Sequence, residues 1–125
     1  MKGITLDAGA LLALENNDRR VVGLLATARR HGLELSVPAG VVAQVWRDGR
    51  RQARLARFLA SDEVTVEVLD EPRARVAGQL CGIRGTSDVV DASVVISARA
   101  NRHQVVTSDP RDLLRLDANL DLIVV

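Results

Sequence analysis

The feature that most constrains this chain is an alternation: short aliphatic runs of strand length are separated, again and again, by stretches whose apolar residues recur at helical spacing. Residues 3–6, 33–37, 64–68, 104–106 and 120–125 read as strands. Residues 8–14, 19–30, 39–47, 50–60, 73–80, a segment from near Ser87 to about Arg99, and 111–114 read as helices, with Gly32, Pro38, Gly49, Pro72, Gly82 and Gly85 as punctuation. Short strands joined by helices pair in parallel through crossovers. The pattern therefore predicts an α/β fold: three layers, with a mainly parallel central sheet and helices on both faces. At 125 residues without repeat, linker or low-complexity tract, a single domain spanning 1–125 is expected.

The core of such a domain must be aliphatic, because aromatics make up only 2% of the chain, Trp46 and Phe58 with no tyrosine. Two rings cannot build the base-stacking platforms of RRM or OB-type modules, so a nucleic acid would be held by its backbone. The longest uncharged stretch, from Leu35 to Trp46, is too short to cross a bilayer. Asp7 breaks the N-terminal apolar run before it reaches the length of a signal-peptide core. A cytoplasmic location with no membrane association is the expectation. Cys81 stands alone, which excludes an intramolecular disulfide and a Cys-rich zinc site and leaves a buried thiol.

Seventeen basic and sixteen acidic residues leave a net charge of +1, so any attraction to polyanions must come from how the charges are distributed. Arg47, Arg50, Arg51, Arg54 and Arg57 recur at helical spacing, which reads more often as a solvated face and otherwise as a candidate stripe for RNA phosphates. His31 and His103 lie at a helix end and before a strand, where capping or packing explains them.

The acidic residues are more informative. In an open parallel sheet, sites form beyond the carboxyl ends of the strands, and Asp7 and Asp109 each follow one. Asp88 and Asp91, three residues apart, share one helix face in a segment apolar enough to pack on the sheet. Two carboxylates about 4 Å apart repel by roughly 1 kcal/mol in water and about 4 kcal/mol at an effective dielectric of 20, so a gathered set calls for a cation. Oxygen donors without histidine or thiolate suit Mg²⁺ or Mn²⁺, whose usual chemistry is attack of water on a phosphate ester. Thr107 and Ser108 are placed to hydrogen-bond the carboxylates, or to form a simple strand-exit turn.

Four segments are together familiar: Gly3-Ile4-Thr5-Leu6-Asp7-Ala8, then Val37-Pro38-Ala39-Gly40-Val41-Val42-Ala43-Gln44-Val45-Trp46-Arg47, then Val90-Asp91-Ala92, then Val105-Val106-Thr107-Ser108-Asp109. In that order they resemble the PIN-domain ribonucleases, most closely the small toxins of VapBC toxin–antitoxin modules. The resemblance spans nearly the whole chain; each motif is short and only the set is specific. It implies a PIN fold, Mg²⁺ or Mn²⁺, endonucleolytic cleavage of RNA, a small antitoxin partner and a homodimer. By the same resemblance Asp7, Asp91 and Asp109 are metal-site acids and Thr107 or Ser108 the supporting hydroxyl. Where the family has a glutamate on the helix after the second strand, this chain has Gln44, whose amide brings no charge; Asp88 is the candidate to compensate, as a fourth metal ligand. The residues expected to meet RNA or a partner are Arg47, Arg50, Arg51 and Arg54.

Other readings fit less well. A receiver-like domain uses a strand-end lysine, and the only lysine is Lys2; a haloacid-dehalogenase-like phosphatase wants an aspartate where Gly9 sits. No GxGxxG or P-loop occurs. The serious alternative is a catalytically weakened PIN-like binding module that acts through antitoxin or RNA association.

Overall fold

The structure, a computed structural model, describes residues 2–125. In chain order its elements are β1 (Gly3–Leu6), α1 (Ala8–Glu15), α2 (Arg19–Arg30), β2 (Glu34–Pro38), α3 (Ala39–Val45), α4 (Ala53–Ala60), β3 (Val64–Glu67), α5 (Glu71–Arg84), α6 (Val89–Asn101), β4 (Gln104–Thr107), α7 (Pro110–Leu116) and β5 (Leu122–Val124). The strands form one all-parallel sheet in the order β3-β2-β1-β4-β5. Helices cover both faces, so the predicted three-layer α/β architecture is the one observed.

The central strands are aliphatic and fully buried, as a sheet covered on both faces requires. Ile4, Leu6, Leu35, Val37, Val105 and Val106 meet Leu11, Val21, Leu25, Val41, Val94 and Leu113 from the helices. Phe58 joins this core, whereas Trp46 is 38% exposed and lies over Gly49, where a methyl group would stand 2.9 Å from its ring. Cys81 is buried, its thiol donating to the Asp88 carbonyl at 3.5 Å. His31 caps the end of α2 through the Thr27 carbonyl, and His103 is buried between Thr5 and Glu34.

Two stretches depart from the sequence pattern. The helices expected over 39–47 and 50–60 are shorter, because α3 stops at Val45 and α4 starts at Ala53. The buried Gln52 side chain holds the chain between them: its Oε1 accepts from the Arg47 and Asp48 N–H groups at 2.8 and 3.0 Å, and its Nε2 donates to the Val45 carbonyl at 2.8 Å and to Glu15 at 3.2 Å. Four hydrogen bonds to one buried amide outweigh the helical tendency of the arginines. Helix α5 errs the other way, running through Gly82 to a left-handed Gly85 at φ 67°. A glycine costs a helix only about 1 kcal/mol relative to alanine, less than the burial of Ala77, Leu80 and Cys81 against α6 returns. The remaining boundaries move by one to a few residues; β5, for instance, is Leu122–Val124 rather than 120–125.

Candidate active site

Strand order reverses between β1 and β4, and the crevice beyond their carboxyl ends is where an open parallel sheet places its site. Asp7 stands there, buried. Its N–H donates to the Val106 carbonyl at 3.2 Å, tying β1 to β4, and its carboxylate caps α1 by accepting from the Ala10 N–H at 3.0 Å. Burial pushes its pKa up; hydrogen bonding from the Thr107 hydroxyl and the Ala10 N–H opposes this, and the charge of Asp109 adds to the rise. The first turn of α1 packs directly on the exit of β4, since a methyl group on Gly9 would run into the Ser108 hydroxyl.

Asp109 follows β4, its N–H donating to Thr107 Oγ1 at 2.9 Å while its side chain makes no capping bond to α7. Asp88 is the N-cap of α6 and accepts from the Asp91 N–H at 3.0 Å. Asp91, in the first turn of α6, is half-buried, and its pKa is pushed up to about 7 by burial first, then by the charge and hydrogen bonding of Asp88 and by the charges of Asp112 and Asp7. Asp112, exposed on α7, is also raised, by hydrogen bonding and charge from Asp109 and by Asp88, with Arg115 working against the rise.

The structure thus brings four of the expected acids, Asp7, Asp88, Asp91 and Asp109, into one electrostatically linked group, and adds a fifth. Asp112 was missed, although it stands three residues after Asp109 on a helix, the spacing that singled out Asp88 and Asp91. Thr107 is fully buried beside Asp7 and Asp109, and Ser108 is exposed with its hydroxyl against Gly9. Gln44 is exposed on α3 and makes no hydrogen bond to any of the five acids among the described residues. It lies one turn beyond Gly40, where a Cβ would meet Val90 at the start of α6 at 3.4 Å.

The acids suit a hard divalent cation by chemistry: all are oxygen donors, and charging Asp7 and Asp91 without one is costly. Asp7 and Asp88 each commit an oxygen to a helix cap. Among the described residues, no three Asp, Glu, His or Cys side chains are arranged to hold an ion as they stand. Closing a coordination shell needs side-chain rotation. Beside Asp88 and Asp91 lies a pocket of about 90 Å³, completed by Thr86, Asp112, Arg115 and Leu116.

The expected arginine stripe is not a helical one. Arg47, Arg50 and Arg51 fall in the loop that Gln52 organises, and Arg54 and Arg57 lie on α4. Arg47 donates to the Ala43 and Trp46 carbonyls, Arg51 pairs with Asp48 at 3.8 Å, and Arg54 reaches the Glu15 carbonyl at 3.5 Å. Arg54 and Arg57 instead line, with Arg29, a groove of about 460 Å³ floored by Leu14, Val22 and Phe58; Arg29 sits 5.7 Å above the Phe58 ring. No helix among the described residues is long and apolar enough to cross a membrane.

No protein-family model and no curated protein matches the chain. Solved structures do. VapBC2 from Rickettsia felis, bound to a DNA fragment from its promoter, matches at a TM-score of 0.75 with 16% identity over 98% of both chains. A toxin–antitoxin complex from Klebsiella pneumoniae matches at 0.72 with 13% identity, over 98% of this chain and 97% of that one. FitAcB from Neisseria gonorrhoeae matches at 0.64 with 20% identity over 96% of both. The similarity runs the length of the chain, and with the acids gathered at the β1–β4 switch point it gives this protein the PIN-type fold of the VapC-like toxins.

Proposed function

We propose that the protein is a Mg²⁺- or Mn²⁺-dependent endoribonuclease and the toxin of a toxin–antitoxin pair, acting in the cytoplasm. The observation that carries the reading is the group of five carboxylates at the switch point, with Asp91 pushed up to about 7 and Asp7 also raised. Such a group is stable only when protonated or when shared with a cation. Asp7, Asp91 and Asp109 would hold the ion, with Asp88 beside them. A divalent ion there would supply Lewis-acid activation of water against a phosphodiester.

The protein's own residues do the positioning. Asp7 is fixed by the α1 cap, and Thr107, hydrogen-bonded to the Asp7 carboxylate and to the Asp109 N–H, orients the first acid and fixes the main chain of the second. Asp91 holds a proton near neutral pH when the site lacks a cation and releases it as one binds. Gln44, exposed on α3, would offer an amide that orients without adding charge. The binding-module alternative is not favoured, since the five acids cluster without any contribution from position 44.

The partners follow from the surface. RNA would meet Arg47, Arg50, Arg51 and Arg54 on the α3–α4 side. An antitoxin segment with an acidic, amphipathic face suits the groove between α2 and α4, whose floor is apolar and whose walls carry Arg29, Arg54 and Arg57. The reading includes a homodimer, with exposed Trp46 as a contact; sedimentation that shows only monomers removes that part. The test of the activity is cleavage of RNA by purified protein with Mn²⁺. Cleavage that stops in EDTA and in Asp91→Asn is expected, and cleavage that survives both rejects the mechanism.

A further inference from the structure

One wall of the acid crevice is basic. Arg115 lines the same pocket as Asp88, Asp91 and Asp112, and stands on α7 three residues after Asp112, so one face of that helix presents both the acid and the cation. Its Nη2 donates to the Gly85 carbonyl at 3.3 Å, at the left-handed end of α5. Among the described residues it makes no other hydrogen bond and no ion pair within 4.0 Å. The guanidinium is anchored at one edge and open at the other.

The charge balance gives that open edge a task. Five ionised carboxylates around one divalent ion leave three negative charges, and a phosphodiester approaching them adds a fourth. Repulsion would hold the substrate off unless a cation lines the crevice, and Arg115 is the one that does. Its planar fork of N–H groups matches two phosphate oxygens, which an ammonium group does not. The arginines of the α3–α4 loop do not line this pocket.

We propose that Arg115 is the phosphate-binding residue of the site: it contacts the scissile phosphodiester of single-stranded RNA and bears the negative charge that grows on its oxygens as water attacks. The proposal rests on the nuclease reading above. The contact strengthens toward the transition state, so its loss falls on kcat more than on KM.

The test compares Arg115→Gln, Arg115→Lys and the parent in Mn²⁺-dependent cleavage of an RNA oligonucleotide, with Asp7→Asn as the inactive control. Glutamine retains a donor for the Gly85 carbonyl and removes the charge. We expect Arg115→Gln to lower kcat by about ten- to a hundredfold with its melting temperature unchanged, Arg115→Lys to lower it less, and added guanidinium ion to restore part of the rate to Arg115→Gln. The salt dependence of RNA binding should weaken by about 0.7 in the slope of log K against log salt, the value for one lost single-strand phosphate contact. An unchanged rate and slope in Arg115→Gln, with the parent active, overturns the role of Arg115 and leaves the nuclease reading standing. A lost rate that follows a lowered melting temperature and is not restored by guanidinium shows a purely structural arginine and also overturns it. A parent no more active than Asp7→Asn removes the nuclease reading and this proposal with it.

Discussion

Asp91→Asn should stabilise the metal-free protein at pH 8 and leave its stability at pH 4 nearly unchanged. The folded pKa of Asp91 is raised from 3.8 to about 7, so the folded state binds a proton more tightly than the unfolded chain. Between those values the folded state carries more protons, and stability falls as pH rises through the window. Above pH 7 the group is ionised in both states and its penalty is complete. At about 1.36 kcal/mol per pH unit the shift is nominally about 4 kcal/mol. Asp91 is only half-buried, so water and counter-ions screen it, and about 1–2 kcal/mol is the usable part. Asparagine also gives up a negative charge in the first turn of α6, which opposes the gain by about 0.5 kcal/mol. The net at pH 8 is a stabilisation of about 1 kcal/mol, or roughly 3–5 °C in melting temperature for a chain of this size. Thermal unfolding of both proteins in EDTA at pH 4 and pH 8 measures it. Millimolar Mn²⁺ should reverse the order, because only the parent keeps the full donor set. A lower melting temperature for Asp91→Asn at pH 8 in EDTA, or a difference that does not change with pH, would refute the reasoning.

Three further outcomes follow from particular contacts. Gln44→Glu should strengthen Mn²⁺ binding by calorimetry and raise RNA cleavage; because Gln44 is exposed, the metal-free protein should lose no more than about 1 kcal/mol, and a variant unchanged in all three would place position 44 outside the site. Gln52→Ala removes four hydrogen bonds from a buried amide and should cost about 2–4 kcal/mol in denaturant unfolding, with faster amide exchange at Arg47 and Asp48; a loss below 1 kcal/mol would mean that the loop organises itself. Gly9→Ala drives a methyl group into the Ser108 hydroxyl and should lower the melting temperature, and the double variant Gly9→Ala/Ser108→Gly should recover most of the loss; additive effects in that cycle would deny the contact.

The alternation of aliphatic runs and helical spacing was enough to reach a three-layer parallel sheet, because strands covered on both faces must be aliphatic throughout and helices between them must be amphipathic. The helix boundaries around 39–60 were not legible, since nothing local marks Gln52 as a buried amide rather than a surface one. Its burial comes from packing, and one of its four partners, Glu15, is thirty-seven residues away. The glycines of α5 misled for the same reason: what carries the helix past them is the packing of its other face on α6.

For the site, the sequence by itself determined which acids follow strands and which share a helix face, and so named Asp7, Asp88, Asp91 and Asp109 from local pattern alone. Only the tertiary structure decided that these acids feel one another. Strand order is set by long-range pairing, and placing β4 beside β1 is what brings Asp109 into range of Asp7 and Asp112 into range of Asp91, adding to the rise that burial and Asp88 already give Asp91. The same pairing put Arg115 at the acid pocket. A pattern of one chain can state what each residue is next to along its own helix or strand; a charge interaction falls off with distance through space, and that distance exists only once the strands are ordered.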